Sequence, residues 1–230
     1  MSKGKLFGIG VGPGDTELLT IKACKILKKV PVICSPRSSE GKDSIALSIV
    51  KPIIENRGDD YEVLDPVFPM VEDKTTLEKH WDDAADSISK YLDNGVDVAF
   101  ITLGDPAIFS TFSYVLDRLS GDYDVEMVPG ITASTAVASS IGKPLVEKNQ
   151  VLTIVPKIDE RIERIISDGD SIVLMKPSRN SEELESIISS KDCEKEIYSI
   201  ENCSMENEHF IKGFSKDKPY LTTTLIKFKK

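Results

Sequence analysis

The chain has 230 residues, 40% apolar and 29% charged, a balance that suits a soluble globular protein of one large or two small domains. A formal net charge of −9 and a pI near 4.9 argue against a nucleic-acid binder. No apolar stretch approaches the ~18 residues of a membrane-spanning helix. The opening residues read directly as a strand rather than a signal peptide, so the cytoplasm is the expected location.

In chain order, Lys5 to Val11 reads as the first strand. Gly10-Val11-Gly12-Pro13-Gly14-Asp15 is a glycine-rich turn. Asp15 or Thr16 then caps a helix expected from Glu17 to Lys28, with Leu18, Leu19, Ile21, Ala23, Ile26 and Leu27 on its apolar face. Val30 to Cys34 is a short second strand, followed by the polar loop Ser35-Pro36-Arg37-Ser38-Ser39. Arg37 either faces an anionic substrate or is a solvated loop arginine. A helix from Asp43 to Glu55 and a strand from Tyr61 to Leu64 precede Pro66-Val67-Phe68-Pro69-Met70. That loop is apolar enough to pack on a neighbour or line a pocket. Thr75 to Asn94 is the clearest helix. Leu77, Trp81, Ala84, Ala85, Ile88, Tyr91 and Leu92 repeat at three and four, and Asn94-Gly95 is its stop.

Val98 to Leu103 is a near-continuous apolar run broken by Thr102, the pattern of a buried parallel strand. Gly104-Asp105-Pro106 ends it, and Phe109, Phe112, Leu116 and Leu119 follow at helical spacing. Ligands of open α/β sheets bind beyond the carboxyl ends of strands, so Gly104 to Phe109 is expected to floor a small-molecule site. The plain alternative is an ordinary strand-to-helix turn capped by Asp105.

The second half repeats the strand–helix rhythm less regularly. Val125 to Val128 is a strand, Pro129-Gly130-Ile131-Thr132-Ala133-Ser134 its turn, and Ala133 to Ile141 a helix of small residues that stops at Gly142. Val151 to Val155 and Ser171 to Met175 are buried strands. Helices are expected at Asp159 to Ile166 and Ser181 to Ile188. Glu196 to Ile200, Glu208 to Phe214 and Tyr220 to Phe228 are strands on short polar turns, which suggests an antiparallel edge. The domain join is expected near Ser120-Gly121-Asp122, giving domains 1–120 and 121–230.

Two nucleotide-binding patterns fail. Gly8-x-Gly10 is followed by Pro13, and Gly10-x-Gly12 by Asp15, so neither register completes G-x-G-x-x-G. Gly41-Lys42 has Pro36 and Asp43 where a P-loop needs a glycine and a hydroxyl. Cys24, Cys34, Cys193 and Cys203 share no metal-ligand spacing, so no metal site is expected. His80 and His209 stand alone, His80 on a helix surface.

Gly8-Ile9-Gly10-Val11-Gly12-Pro13-Gly14-Asp15 with Glu17-Leu18-Leu19-Thr20, Leu103-Gly104-Asp105-Pro106, and Val128-Pro129-Gly130-Ile131-Thr132-Ala133 together resemble the three ordered motifs of the tetrapyrrole methylases. The resemblance covers nearly the whole chain. Phe68-Pro69-Met70, Ala107 to Phe112, and Ile141-Gly142-Lys143-Pro144-Leu145 are similar to the branch that methylates carbon 20 of precorrin-2 or cobalt-factor II, on the way to vitamin B12.

The resemblance implies two α/β domains with S-adenosylmethionine in the cleft between them, and a homodimer. It places Pro13, Gly104, Asp105, Ile108, Pro129, Gly130, Thr132, Ala133, Met175 and Thr222 at the cofactor. For Met175 the alternative is core packing. It places Gly12, Arg37 and Ser38 toward the tetrapyrrole. A sulfonium is already a good leaving group, and an electron-rich ring carbon needs no dedicated base, so the task is alignment. No catalytic residue is identified. Asp105 either stabilises the cationic cofactor or accepts main-chain hydrogen bonds. Arg37 and Lys176 are the basic residues nearest to hand for a substrate rich in carboxylates. Two other readings stay open: a methylase acting on uroporphyrinogen or in diphthine synthesis, and a ligand sensor without catalysis.

Overall fold

The structure, a computed structural model, describes residues 2–176, 181–215 and 220–229. The chain forms two compact units, residues 1–132 and 133–230.

The first unit is built on a five-stranded sheet of β1 (Leu6–Gly10), β2 (Val32–Cys34), β3 (Glu62–Leu64), β4 (Val98–Thr102) and β5 (Val125–Val128). Their order is β3-β2-β4-β1-β5, and every pairing is parallel. Such a sheet needs helices on both faces. Helices α1 (Ile21–Leu27) and α2 (Ile45–Ile54) cover one face, where Ala23, Leu27, Ile49, Val50 and Ile54 meet Ile9, Ile33 and Ile101. Helices α3 (Lys74–Asp93) and α4 (Phe112–Leu119) cover the other, where Ala84, Ile88, Leu92 and Phe112 meet Leu6, Val32 and Phe100. Central β4 is buried at all five positions, which is why its sequence is almost unbroken in apolar residues.

Two expectations need correction here. The helix expected from Glu17 to Lys28 is split. Asp15 caps only a 3-10 turn, Thr16–Leu18, and the Thr20 hydroxyl then accepts from the Ala23 N–H (3.1 Å) to start α1 afresh. Ile21 consequently points outward, 76% exposed, instead of joining the apolar face. Phe109 is not on α4 at all. It sits in the left-handed region (φ 51°) and is exposed, while Val115 takes a place in the core. Of the two expectations for the apolar loop after β3, packing is seen in part: Phe68 is buried edge-on to Phe100 (centroids 6.1 Å), but Met70 is exposed.

The second unit contains α5 (Ala133–Ser140), β6 (Leu152–Val155), α6 (Ile162–Asp168), β7 (Ser171–Met175), α7 (Ser181–Ser190), β8 (Glu194–Glu201), β9 (His209–Lys212) and β10 (Thr222–Lys229). Its sheet has the order β6-β7-β10-β8-β9. Only β6 and β7 pair in parallel; β10, β8 and β9 supply the antiparallel side foreseen from their short turns. Val155, Ile162, Ile166, Ile172, Leu174, Ile188, Ile226 and Phe228 form its core. Residues 121–132 count with the first unit, where β5 pairs with β1. Among the described residues, no helix is long and apolar enough to cross a membrane.

Candidate active site

Strands β4, β1 and β5 lie side by side, and their carboxyl-end turns meet. The Gly12 N–H donates to the Gly104 carbonyl (3.2 Å) and the Gly104 N–H to the Gly12 carbonyl (2.8 Å), clasping the first turn to the second. Both glycines are left-handed, at φ 78° and 72°, where a side chain is strained.

Asp105 reaches the third turn. Its Oδ1 accepts from the Ala107 N–H (2.8 Å) within its own loop, and its Oδ2 accepts from the Gly130 N–H (2.9 Å). Because β1 separates β4 from β5, that second bond passes over the end of β1. A Cβ on Gly10 would lie 2.6 Å from both the Gly104 carbonyl oxygen and the Gly130 nitrogen. A Cβ on Gly130 would lie 2.1 Å from the same carbonyl. Only glycine fits either place.

Around this junction Pro13 is buried, Pro129 is exposed, and Ile108 is 38% exposed. The Ser110 hydroxyl donates to the buried Thr102 hydroxyl (2.8 Å) and accepts from the Phe112 N–H (3.1 Å), which fixes the start of α4. Arg37 and Ser38 lie in the loop after β2. The Arg37 guanidinium is engaged by Asp65, with Nη2 2.6 Å from the carboxylate and Nε donating to the Asp65 carbonyl (3.2 Å).

Thr132, half-buried, is the last residue of the first unit, and the second unit holds Ala133, Met175 and Thr222. Ala133 is the first residue of α5 and is half-buried. Met175, half-buried, ends β7, and the next residue, Lys176, donates its N–H to the carbonyl of buried Thr222 (2.9 Å). Met175 and Thr222 therefore flank one hydrogen-bonded junction. The Lys176 ammonium donates to the Tyr220 hydroxyl (2.7 Å).

Two of the four thiols, Cys34 and Cys203, are buried and poor nucleophiles. Burial pushes Cys34 far above the usual thiol range, and burial, then Glu208, pushes Cys203 up to about 12. Among the described residues, no group of three or more His, Cys, Asp or Glu side chains is placed to hold a metal ion.

The sequence missed Asp65 as the partner of Arg37 and Gly130 as the partner of Asp105. Neither pairing leaves a local signal, since each depends on which strands become neighbours.

Residues 5–218 match the family described as Tetrapyrrole (Corrin/Porphyrin) Methylases. The chain belongs to this family. A probable cobalt-precorrin-2 C(20)-methyltransferase of Methanocaldococcus jannaschii is 38% identical over 230 aligned residues, covering 97% of this chain and 96% of the relative. A cobalt-precorrin-2 C(20)-methyltransferase of Salmonella typhimurium is 35% identical over 75% of this chain and 73% of its own length. The fold of this tetrapyrrole methylase is also that of a solved cobalt precorrin-4 methyltransferase, with a TM-score of 0.76 at 18% identity, covering 97% of this chain and 94% of the other.

Proposed function

We propose that this tetrapyrrole methylase transfers a methyl group from S-adenosylmethionine to carbon 20 of precorrin-2 or its cobalt-containing counterpart, in cobalamin biosynthesis. The observation that carries the reading is the 38% identity, end to end, with a relative bearing that name. The turns described above fit a ligand of this kind. A Cβ on left-handed Gly104 would have no atom within 4 Å, so the loop leaves room beside its backbone. A solved uroporphyrin-III C-methyl transferase from Thermus thermophilus, TM-score 0.67 at 18% identity and covering 97% of each chain, is complexed with S-adenosylhomocysteine.

When bound, the cofactor supplies an activated methyl on a positively charged sulfur. What is left to the chain is alignment, and well-oriented reactants recover much of a barrier without acid–base help. We assign cofactor contacts to Pro13, Gly104, Asp105, Ile108, Pro129, Gly130 and Thr132 of the first unit and to Ala133, Met175 and Thr222 of the second. Gly12, Arg37 and Ser38 are assigned to the tetrapyrrole; Arg37 would keep Asp65 as its anchor. The working form we assign is a homodimer in the cytoplasm.

The test is incubation with methyl-labelled cofactor and each of three acceptors: precorrin-2, its cobalt form and uroporphyrinogen III. Label at carbon 20 of either of the first two is expected. Label only on uroporphyrinogen, or cofactor binding with no transfer to any acceptor, would refute the assignment.

A further inference from the structure

We propose that Asp105 is a positioning residue: its carboxylate staples the turn after β4 to the turn after β5, shaping Gly130 and the residues up to Thr132 before a ligand arrives. It does not serve chiefly as counter-charge to a bound cation. The proposal deepens the function proposed above and rests on it for the identity of the ligand.

Each Asp105 oxygen already accepts a main-chain N–H, from Ala107 at 2.8 Å and from Gly130 at 2.9 Å. Hydrogen bonds to an ionised acceptor are the strong ones, and these two tie the carboxylate to both sides of the junction. The path to Gly130 crosses the end of β1, where Gly10 has no side chain to block it. Backbone meets backbone there, as the 2.1 Å from a would-be Gly130 Cβ to the Gly104 carbonyl shows. With the Gly12–Gly104 clasp, three turns become one connected piece whose middle member carries the acid. A binding loop fixed in this way loses less freedom when its ligand binds.

Charge separates the two roles. S-adenosylmethionine carries a positive sulfonium, whereas S-adenosylhomocysteine carries a neutral thioether of nearly the same shape. A counter-charge favours the first; a staple treats them alike. Asp105→Asn keeps the size but sets an amide donor against one of the two N–H groups. Asp105→Glu keeps the charge but displaces it by a methylene.

Calorimetry with both ligands should show each variant binding both more weakly by a common factor, about tenfold or more given the loss of a charge-assisted bond. Selective loss of S-adenosylmethionine in Asp105→Asn, or normal binding of it in Asp105→Glu, would overturn the staple. Hydrogen exchange on the ligand-free wild-type protein needs neither a variant nor a ligand. The Gly130 amide should be strongly protected, and exchange at the rate of an open turn would also overturn the proposal. If the wild type binds neither ligand, the cofactor assignment fails, and the exchange result still decides the staple.

Discussion

At Gly8, Gly10 and Gly130 two pieces of backbone, or backbone and ring, come too close for a side chain. On Gly8 a Cβ would stand 2.3 Å from the Phe112 ring, and on Gly10 it would cut between two turns. Ala133 occupies the next size up. It opens α5 half-buried, and Ser134, Ala136, Val137 and Ala138 behind it are buried. A bulky side chain at Ala133 would take up the cofactor space proposed above. Ala133→Phe is therefore expected to lower cofactor affinity sharply in calorimetry while leaving the thermal midpoint of the ligand-free protein nearly unchanged. Overpacking a core position costs ~1–3 kcal/mol instead. A variant that melts early yet binds cofactor normally would place Ala133 in the core and remove it from the site.

At the scale of elements, β5 forms one edge of its sheet and is tied to its surroundings by charge. Its Glu126 carboxylate meets the Lys22 ammonium from α1 and the Lys5 ammonium (2.8 Å) just before β1. Lys22, then Lys5, holds the Glu126 carboxyl down at about 2, against an ordinary 4.5. A depressed carboxyl binds its proton more readily in the unfolded chain. Its contribution is present above the ordinary value and is lost as pH falls from about 4.5 to about 2. Thermal midpoints of wild type and Glu126→Gln should differ at neutral pH and converge toward pH 2, with a smaller gap in high salt. A gap that stays constant over that range would sink the idea. These elements also show what can be read in advance. Strand β4 and helix α3 were legible because burial on both faces, or on one stripe, leaves a direct mark on the residue pattern. The break before α1 was not, because the Thr20 hydroxyl captures the Ala23 N–H, a local bond that competes with a continuous helix. The turns themselves were recognisable by motif, but the Asp105–Gly130 bond joins residues 25 apart across an intervening strand. Only the strand order places them together.

For the whole molecule, the charge and the apolar surface pull in opposite directions. Each chain carries a formal charge of −9, so two chains in a dimer repel. Against this, Met70 is 64% exposed and Val71 46%, two and three residues after Phe68, which is buried on its own chain. Met70 therefore contributes little to the fold of the single chain and is free to contribute to contact with a second copy. The homodimer proposed above should be seen by sedimentation at micromolar concentration. Its dissociation constant should fall as salt rises, because repulsion over distances beyond about 10 Å is screened near 0.1 M while apolar contact is not. Met70→Asp should weaken the dimer at least about tenfold, as expected for a charge buried without a partner. The melting of dilute monomer should hardly change, since exposed positions lie within about 0.5 kcal/mol of neutral. A wild type that stays monomeric at every concentration would dispose of the dimer. A Met70→Asp protein that dimerises as well as wild type would show that the contact lies on another face.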